Sequence, residues 1–122
     1  MARILIIDDD PDVLRTLELF LTNQGHVVQT QENALKFLSD ICIFRPDLVI
    51  LDIMMPIMTG GTVYQGIRHE IGPHLPIIIS SASRVSVRGE DPLLLHVPKS
   101  SELQKLTSAI EQLLHLAHQL NP

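Results

Sequence analysis

"DLVIL", residues 47–51, runs directly into Asp52, and its reading decides the fold. After its leading acid the segment is apolar at every position, so it offers no polar face to water. It reads as a parallel strand covered on both sides by helices. Working outward, five short apolar runs punctuate the chain: "RILII" at 3–7, "HVVQT" at 26–30, "DLVIL" at 47–51, "PIII" at 76–79 and "LLLHV" at 93–97. Three of them are continuous rather than alternating.

Segments with helical spacing lie between these runs. Asp10-Pro11 is a start signal, an N-cap acid followed by proline at the first helical position, and Val13, Leu14, Leu17 and Leu21 then recur at steps of three and four until Gly25. "NALKFLSDICIF" forms a second helix that ends before Arg45-Pro46, because the residue preceding proline is pushed out of the α region. A third helix is expected from about Thr62 to Ile71, stopped by Gly72-Pro73. The last begins at Ser101-Glu102-Leu103-Gln104, a capping-box pattern, and is expected to bury Leu103, Leu106, Ile110, Leu113 and Ala117. "SASRVSVRGEDP", residues 81–92, has no apolar stripe at helical spacing and reads as a loop with at most one helical turn. Strand and helix alternate, giving a doubly wound, five-stranded parallel α/β sheet in three layers, with a short or irregular crossover before the fifth strand.

Composition bounds the function. At 122 residues the chain supports one core and one domain, residues 1–122. Nine Lys and Arg against fourteen Asp and Glu, a net charge of −5 and no basic stretch interleaved with aromatics disfavour direct nucleic-acid binding. No apolar run approaches the ~18 residues of a membrane helix, and "MARILIIDDD" meets acids where a signal peptide would continue. The single Cys42, in "ICIF", excludes a disulfide within the chain, points to a reducing, cytoplasmic location, and reads as a small buried thiol.

The strand ends carry the chemistry. Ligands of an open parallel sheet sit beyond its carboxyl ends, where the strand order reverses. There the first strand ends in Asp8-Asp9, the third in Asp52, the fourth in Ser80-Ser81, and the fifth leads through Pro98 to Lys99. Carboxylates gathered at one edge repel, and a divalent cation removes the conflict. Oxygen ligands without His or Cys select a hard ion such as Mg2+. Asp52 would be both ligand and nucleophile toward phosphorus, Lys99 the amine that neutralises the transferred charge, and Ser81 a hydroxyl donor to the phosphoryl group. Asp10, before Pro11, reads only as a helix cap.

These motifs together, "ILIIDDDP", "LVILDIMMPIMTGG", "PIIISSA" and Lys99, resemble the receiver domain of two-component response regulators over nearly the whole chain. The resemblance implies a flavodoxin-like fold and a phosphoryl switch. A sensor histidine kinase or phosphotransfer protein would donate to Asp52, with Mg2+ held by Asp8, Asp9, Asp52 and the backbone carbonyl of Met54. Pro56 and Gly60 match the turn after the acceptor. Such a module catalyses only its own phosphorylation and dephosphorylation, and its partners would include an effector domain or a second copy. Ending at "AHQLNP", the chain is compatible with a stand-alone receiver and with the N-terminal piece of a longer regulator.

The sequence also departs from the family. Receivers usually place proline directly after the lysine, whereas here the order is Pro98-Lys99-Ser100; His96 stands where an aromatic residue is common, and Thr59 where an acid is common. Ser81 is 18 residues from Lys99, several fewer than a full crossover helix needs. These departures keep a second reading open, a receiver-like interaction module that no longer switches. A Mg2+-dependent phosphohydrolase with an aspartate nucleophile would need an acid two residues after it, where Met54 stands. Neither phosphate-binding glycine motif of nucleotide sites occurs.

Overall fold

The computed structural model describes residues 1–82 and 90–121. Strands β1 (Arg3–Ile7), β2 (Val27–Gln31), β3 (Leu48–Asp52), β4 (Ile77–Ser81) and β5 (Leu94–Pro98) alternate with helices α1 (Pro11–Asn23), α2 (Phe37–Phe44), α3 (Gly60–Glu70) and α4 (Leu103–Leu120). All four strand pairings are parallel, in the order β2-β1-β3-β4-β5. Side chains alternate between faces along each strand, so one continuous apolar run feeds two cores. Ile4, Ile6, Leu48, Ile50 and Ile78 pack with Leu14, Leu17 and Leu21 of α1 and Leu106, Ile110 and Leu113 of α4. Leu5, Ile7, Val49, Leu51, Ile77 and Ile79 pack with Ile41 and Phe44 of α2 and Val63 and Ile67 of α3. The three-layer α/β/α arrangement expected from the runs is therefore present.

Local chemistry sets the helix ends. Asp10 caps α1 by accepting the Asp12 N–H, with Pro11 at the first turn, and Gly25 follows at φ +94°. Thr59 caps α3 by accepting the Thr62 N–H, so that helix begins at Gly60, two residues before the expected Thr62. The segment read as one helix from Asn33 divides into a 3-10 turn, Ala34–Lys36, capped by Asn33, and then α2.

Three expectations need correction. The capping box at Ser101 does not form: the N-cap of α4 is Glu102, whose side chain makes no capping hydrogen bond. Leu103, in the first turn, stays 39% exposed although it lines the same cleft as Leu106, while Leu106, Ala109, Ile110 and Leu113 form the buried stripe and Ala117 is half-buried. Cys42 is exposed, not buried, because Ile41 and Phe44 take the inward face of α2. His26 is half-buried and accepts the Ala2 N–H at 3.1 Å, and burial lowers its pKa below the ordinary 6.5. The short or irregular crossover helix expected between β4 and β5 falls on residues 83–89, outside the described residues. Among the described residues no helix is long and apolar enough to cross a membrane.

One glycine brings the third helix hard against the third strand. A Cβ on Gly60 would lie 2.5 Å from the Asp52 carbonyl oxygen and 2.7 Å from the Ile53 Cα, backbone atoms that cannot turn aside. At Gly61 the nearest atom is the Thr59 hydroxyl at 3.7 Å. Urea denaturation is therefore expected to show Gly60→Ala destabilised by about 1–3 kcal/mol, the usual cost of overpacking. Gly61→Ala should match or exceed wild type by up to roughly 1 kcal/mol, since alanine is the better helix former. A Gly60→Ala chain as stable as wild type would show that α3 can back away from Asp52.

Candidate functional site

Strand order reverses at β1: its chain neighbour β2 lies on one side and β3 on the other. The carboxyl ends of β1 and β3 therefore open onto a crevice, and the acids stand there. Asp52 is the last residue of β3 and shares the face of Ile50, while Asp8 follows β1 on the same face as Ile6. Both are almost out of water, at 4% and 3% exposure, and Asp9 beside them is exposed. One carboxylate oxygen from each of Asp8, Asp9 and Asp52 lies within 4.8 Å of the others, the one such cluster of acids, His or Cys among the described residues.

A cation stands between the two buried acids. The Lys99 Nζ lies 2.8 Å from an Asp8 oxygen and 3.4 Å from an Asp52 oxygen. The backbone completes the setting: the Met54 N–H donates to Asp52 at 3.2 Å and the Asp10 N–H to Asp8 at 2.9 Å. Burial first, and then the charge of Asp8, push the Asp52 carboxyl above its ordinary 3.8, against the Met54 N–H and Lys99. Burial disfavours the charged Lys99 amine, yet its hydrogen bond and attraction to Asp8, reinforced by Asp52, hold its pKa above 10.5.

The placement of Lys99 comes from β5 and from the turn that follows, where the Ser101 N–H donates to the Pro98 carbonyl at 2.9 Å. The Lys99 N–H donates to the Ser81 carbonyl at 2.9 Å, one step past the last rung of the β4–β5 ladder, Ser81 to Pro98. The two candidate hydroxyls separate by strand parity. Ser80 pairs directly with Asp52 across the ladder, is half-buried, and lines a cleft of about 280 Å³ with Lys99, Val97 and Leu106. Ser81 is fully buried on the opposite side of the strand. His96 is half-buried on β5, opposite Ile79, and among the described residues its buried Nε2 has no hydrogen-bond partner. Met55 is buried as a packing residue, whereas Met54 is 67% exposed, so only its backbone can serve the site.

The fit to a hard divalent ion follows from the donors. Three carboxylates, two of them desolvated, leave Asp52 disfavoured in its charged form by its neighbour Asp8. An oxygen-only set of this kind suits Mg2+. Asp8, Asp9 and Asp52, with the Met54 carbonyl, are the residues that could hold it. Sequence reading passes over a second polar cluster, Tyr64, Arg68 and Asp91, which lies at the other end of β4 and β5; a half-buried arginine leaves no periodic signal in sequence.

Comparison with known proteins agrees with this geometry. The family model for the response regulator receiver domain matches residues 4–111. The chain is 35% identical over 120 residues to the response regulator MprA of a Mycobacterium species, covering 93% of this chain and 50% of that protein. It is 42% identical over 85 residues to the transcriptional regulatory protein AfsQ1 of Streptomyces coelicolor, covering 67% of this chain and 36% of that protein. The chain thus spans half or less of the length of these relatives. Among solved structures, the response regulator TrrA of Thermotoga maritima, in complex with Mg2+ and a beryllium fluoride, matches with a TM-score of 0.82 at 30% identity over 93% of this chain and 99% of that one. TrrA in complex with the histidine kinase ThkA matches with a TM-score of 0.81, over 93% of this chain and 98% of that one. The five-stranded sheet, the acids at its β1–β3 crevice and these matches agree: the chain belongs to the response regulator receiver domain family.

Proposed function

We propose that residues 1–122 act as one receiver unit whose phosphoacceptor is Asp52. The observation that carries this is the Lys99 amine set between Asp8 and Asp52, at 2.8 and 3.4 Å, beside a cluster of three acids. An Asp52 carboxylate oxygen attacks the phosphorus of a phosphohistidine. The new O–P bond forms as the P–N bond breaks, and the electron pair leaves on the imidazole nitrogen. Return is hydrolytic: water attacks phosphorus, inorganic phosphate leaves, and the Asp52 carboxylate is restored. Bound Mg2+, held by Asp8, Asp9, Asp52 and the Met54 carbonyl, would supply positive charge to the transferred group. Lys99 offsets the same charge from the other side, and the Ser81 hydroxyl, here on the face of β4 away from Asp52, donates to a phosphoryl oxygen once the strand end turns it toward the site in the switched state.

This is a signalling role and not the turnover of a separate substrate. The donor is a sensor histidine kinase or phosphotransfer protein, a class supported by the likeness to TrrA, which has been seen with the kinase ThkA. An effector domain as output is supported by relatives about twice the length of this chain. A cytoplasmic location belongs to the same reading.

Incubation with acetyl phosphate and Mg2+, followed by intact mass measurement, is expected to add one phosphoryl group. Asp52→Asn should abolish the addition, and Lys99→Ala should slow it by about tenfold or more, as expected when a charge-stabilising group is lost. Absence of both the mass increase and any Mg2+ dependence would favour an interaction module that no longer switches.

The raised Asp52 pKa gives two signed expectations. Mg2+ requires the carboxylate form, so its affinity, followed by amide chemical shifts, should begin to fall at a pH above the ordinary carboxylate value of 3.8. For stability, a folded pKa raised above the unfolded one means the native state binds more protons, so this group's contribution falls as pH rises through both values. Without Mg2+, Asp52→Asn should therefore melt above wild type at pH 7, the difference closing near pH 3; equal melting at both pH values would contradict the stated repulsion.

A further inference from the structure

The placement of Lys99 depends on an edge strand, and the start of that strand is held by a charged cluster remote from the acids. Among the described residues, strand β5 pairs only with β4. Around its entry, the Arg68 guanidinium of α3 donates to the Leu75 carbonyl at 2.7 Å and the Gly72 carbonyl at 3.1 Å, both just before β4. The same group donates to Asp91 at 2.8 Å and to the Leu93 carbonyl at 3.4 Å, both just before β5. Asp91 in turn accepts the Leu93 N–H at 3.0 Å and the Tyr64 hydroxyl, and the Tyr64 ring lies 5.3 Å from the Arg68 guanidinium carbon. The Arg68 and Asp91 side chains are only 15% and 17% exposed, so the pair is desolvated enough to matter. Burial opposes the Asp91 charge, but Arg68 and Tyr64 outweigh it and hold its pKa below 3.8.

One cation thus grips the entries of two adjacent strands together. From there the register runs without interruption, Ile77 with Leu94 through Ser81 with Pro98, and ends at the Lys99 N–H bonded to Ser81. Leu93 and Val97 anchor this edge strand in the core, but a slip of two residues keeps the same faces inward and would carry the lysine about 6.6 Å along the strand. That exceeds the spread of its contacts, 2.8 Å to Asp8 and 3.4 Å to Asp52.

We propose that Arg68 and Asp91, steadied by Tyr64, are positioning residues for phosphoryl transfer, fixing the register of β5 on β4 and thereby holding Lys99 between Asp8 and Asp52. The proposal rests on the phosphoacceptor reading above and adds to it residues that touch neither metal nor phosphoryl group. It separates two halves of the site. The acids stand on β1 and β3, which the clamp does not touch, whereas the amine arrives on β5, whose entry the clamp holds.

The test uses Arg68→Met and Asp91→Asn, with Tyr64→Phe as the milder variant should either of those fail to fold. Three quantities are measured: acetyl phosphate labelling rate, Mg2+ affinity from amide shifts, and hydrogen exchange of the Lys99 amide. The expected result is a labelling rate lower by about tenfold, the scale on which misplacement of a catalytic group acts. Lys99 amide protection should fall by a similar factor, while Mg2+ affinity and protection of the Asp8 amide, bonded to Gln31, stay within about twofold of wild type. Unchanged labelling and unchanged Lys99 protection would overturn the proposal. So would a parallel loss of Mg2+ affinity, which marks general destabilisation. If wild type takes no phosphoryl group at all, the phosphoacceptor reading fails, and the Lys99 exchange result still decides whether the clamp holds β5.

Discussion

Asp8 and Asp52 cannot both remain charged and desolvated at the mouth of one crevice unless positive charge stands between them. Each is nearly inaccessible, at 3% and 4% exposure, and the chain meets the demand with the Lys99 amine. The compensation is incomplete, since the Asp52 carboxyl is still pushed above its ordinary pKa. Residual frustration at one buried acid is a common mark of a functional site, because the same geometry that disfavours a bare carboxylate favours a bound cation or a transferred group.

The rest of the architecture follows from keeping those groups together. Asp8 and Asp52 lie on neighbouring strands, β1 and β3, in the centre of the sheet, where burial on both faces leaves little freedom. Gly60 lets α3 begin against the Asp52 backbone, and its N–H donates to the Ile53 carbonyl at 3.1 Å, closing the turn that follows the acceptor. Lys99 comes from the edge, where the sheet offers one neighbour instead of two. The cluster of Arg68, Asp91 and Tyr64 stands at the far end of that same pair of strands, so α3 touches both the acceptor turn and the entry to the strand that carries the amine.

Legibility in sequence followed locality. Strand runs, the Asp10-Pro11 start and the Gly25 stop are statements about neighbouring residues, and the structure has them within a residue or so. Where exposure depended on what packs against a helix, sequence reading went astray. Glu102 rather than Ser101 caps α4, Leu103 at the helix end stays 39% exposed, and Cys42 faces water although it sits among apolar residues. The acids and the lysine were legible because each ends a strand. Arg68 and Asp91 were not, because a charge inside a short helix and one in a connecting segment look like ordinary surface until the chain brings them together.

By itself the sequence determined the alternation of strand and helix, the parallel character of the sheet and the presence of acids, hydroxyls and an amine at strand ends. These are periodic or neighbouring properties, set by which faces must leave water. Tertiary structure alone decided the strand order, the approach of Lys99 to Asp8 and Asp52, the parity that puts Ser80 beside Asp52 and Ser81 behind it, and the grip of Arg68 on two strand entries. Each of these joins residues far apart in the chain. Pairing and packing across the sheet bring them within hydrogen-bond reach, and no local pattern encodes that.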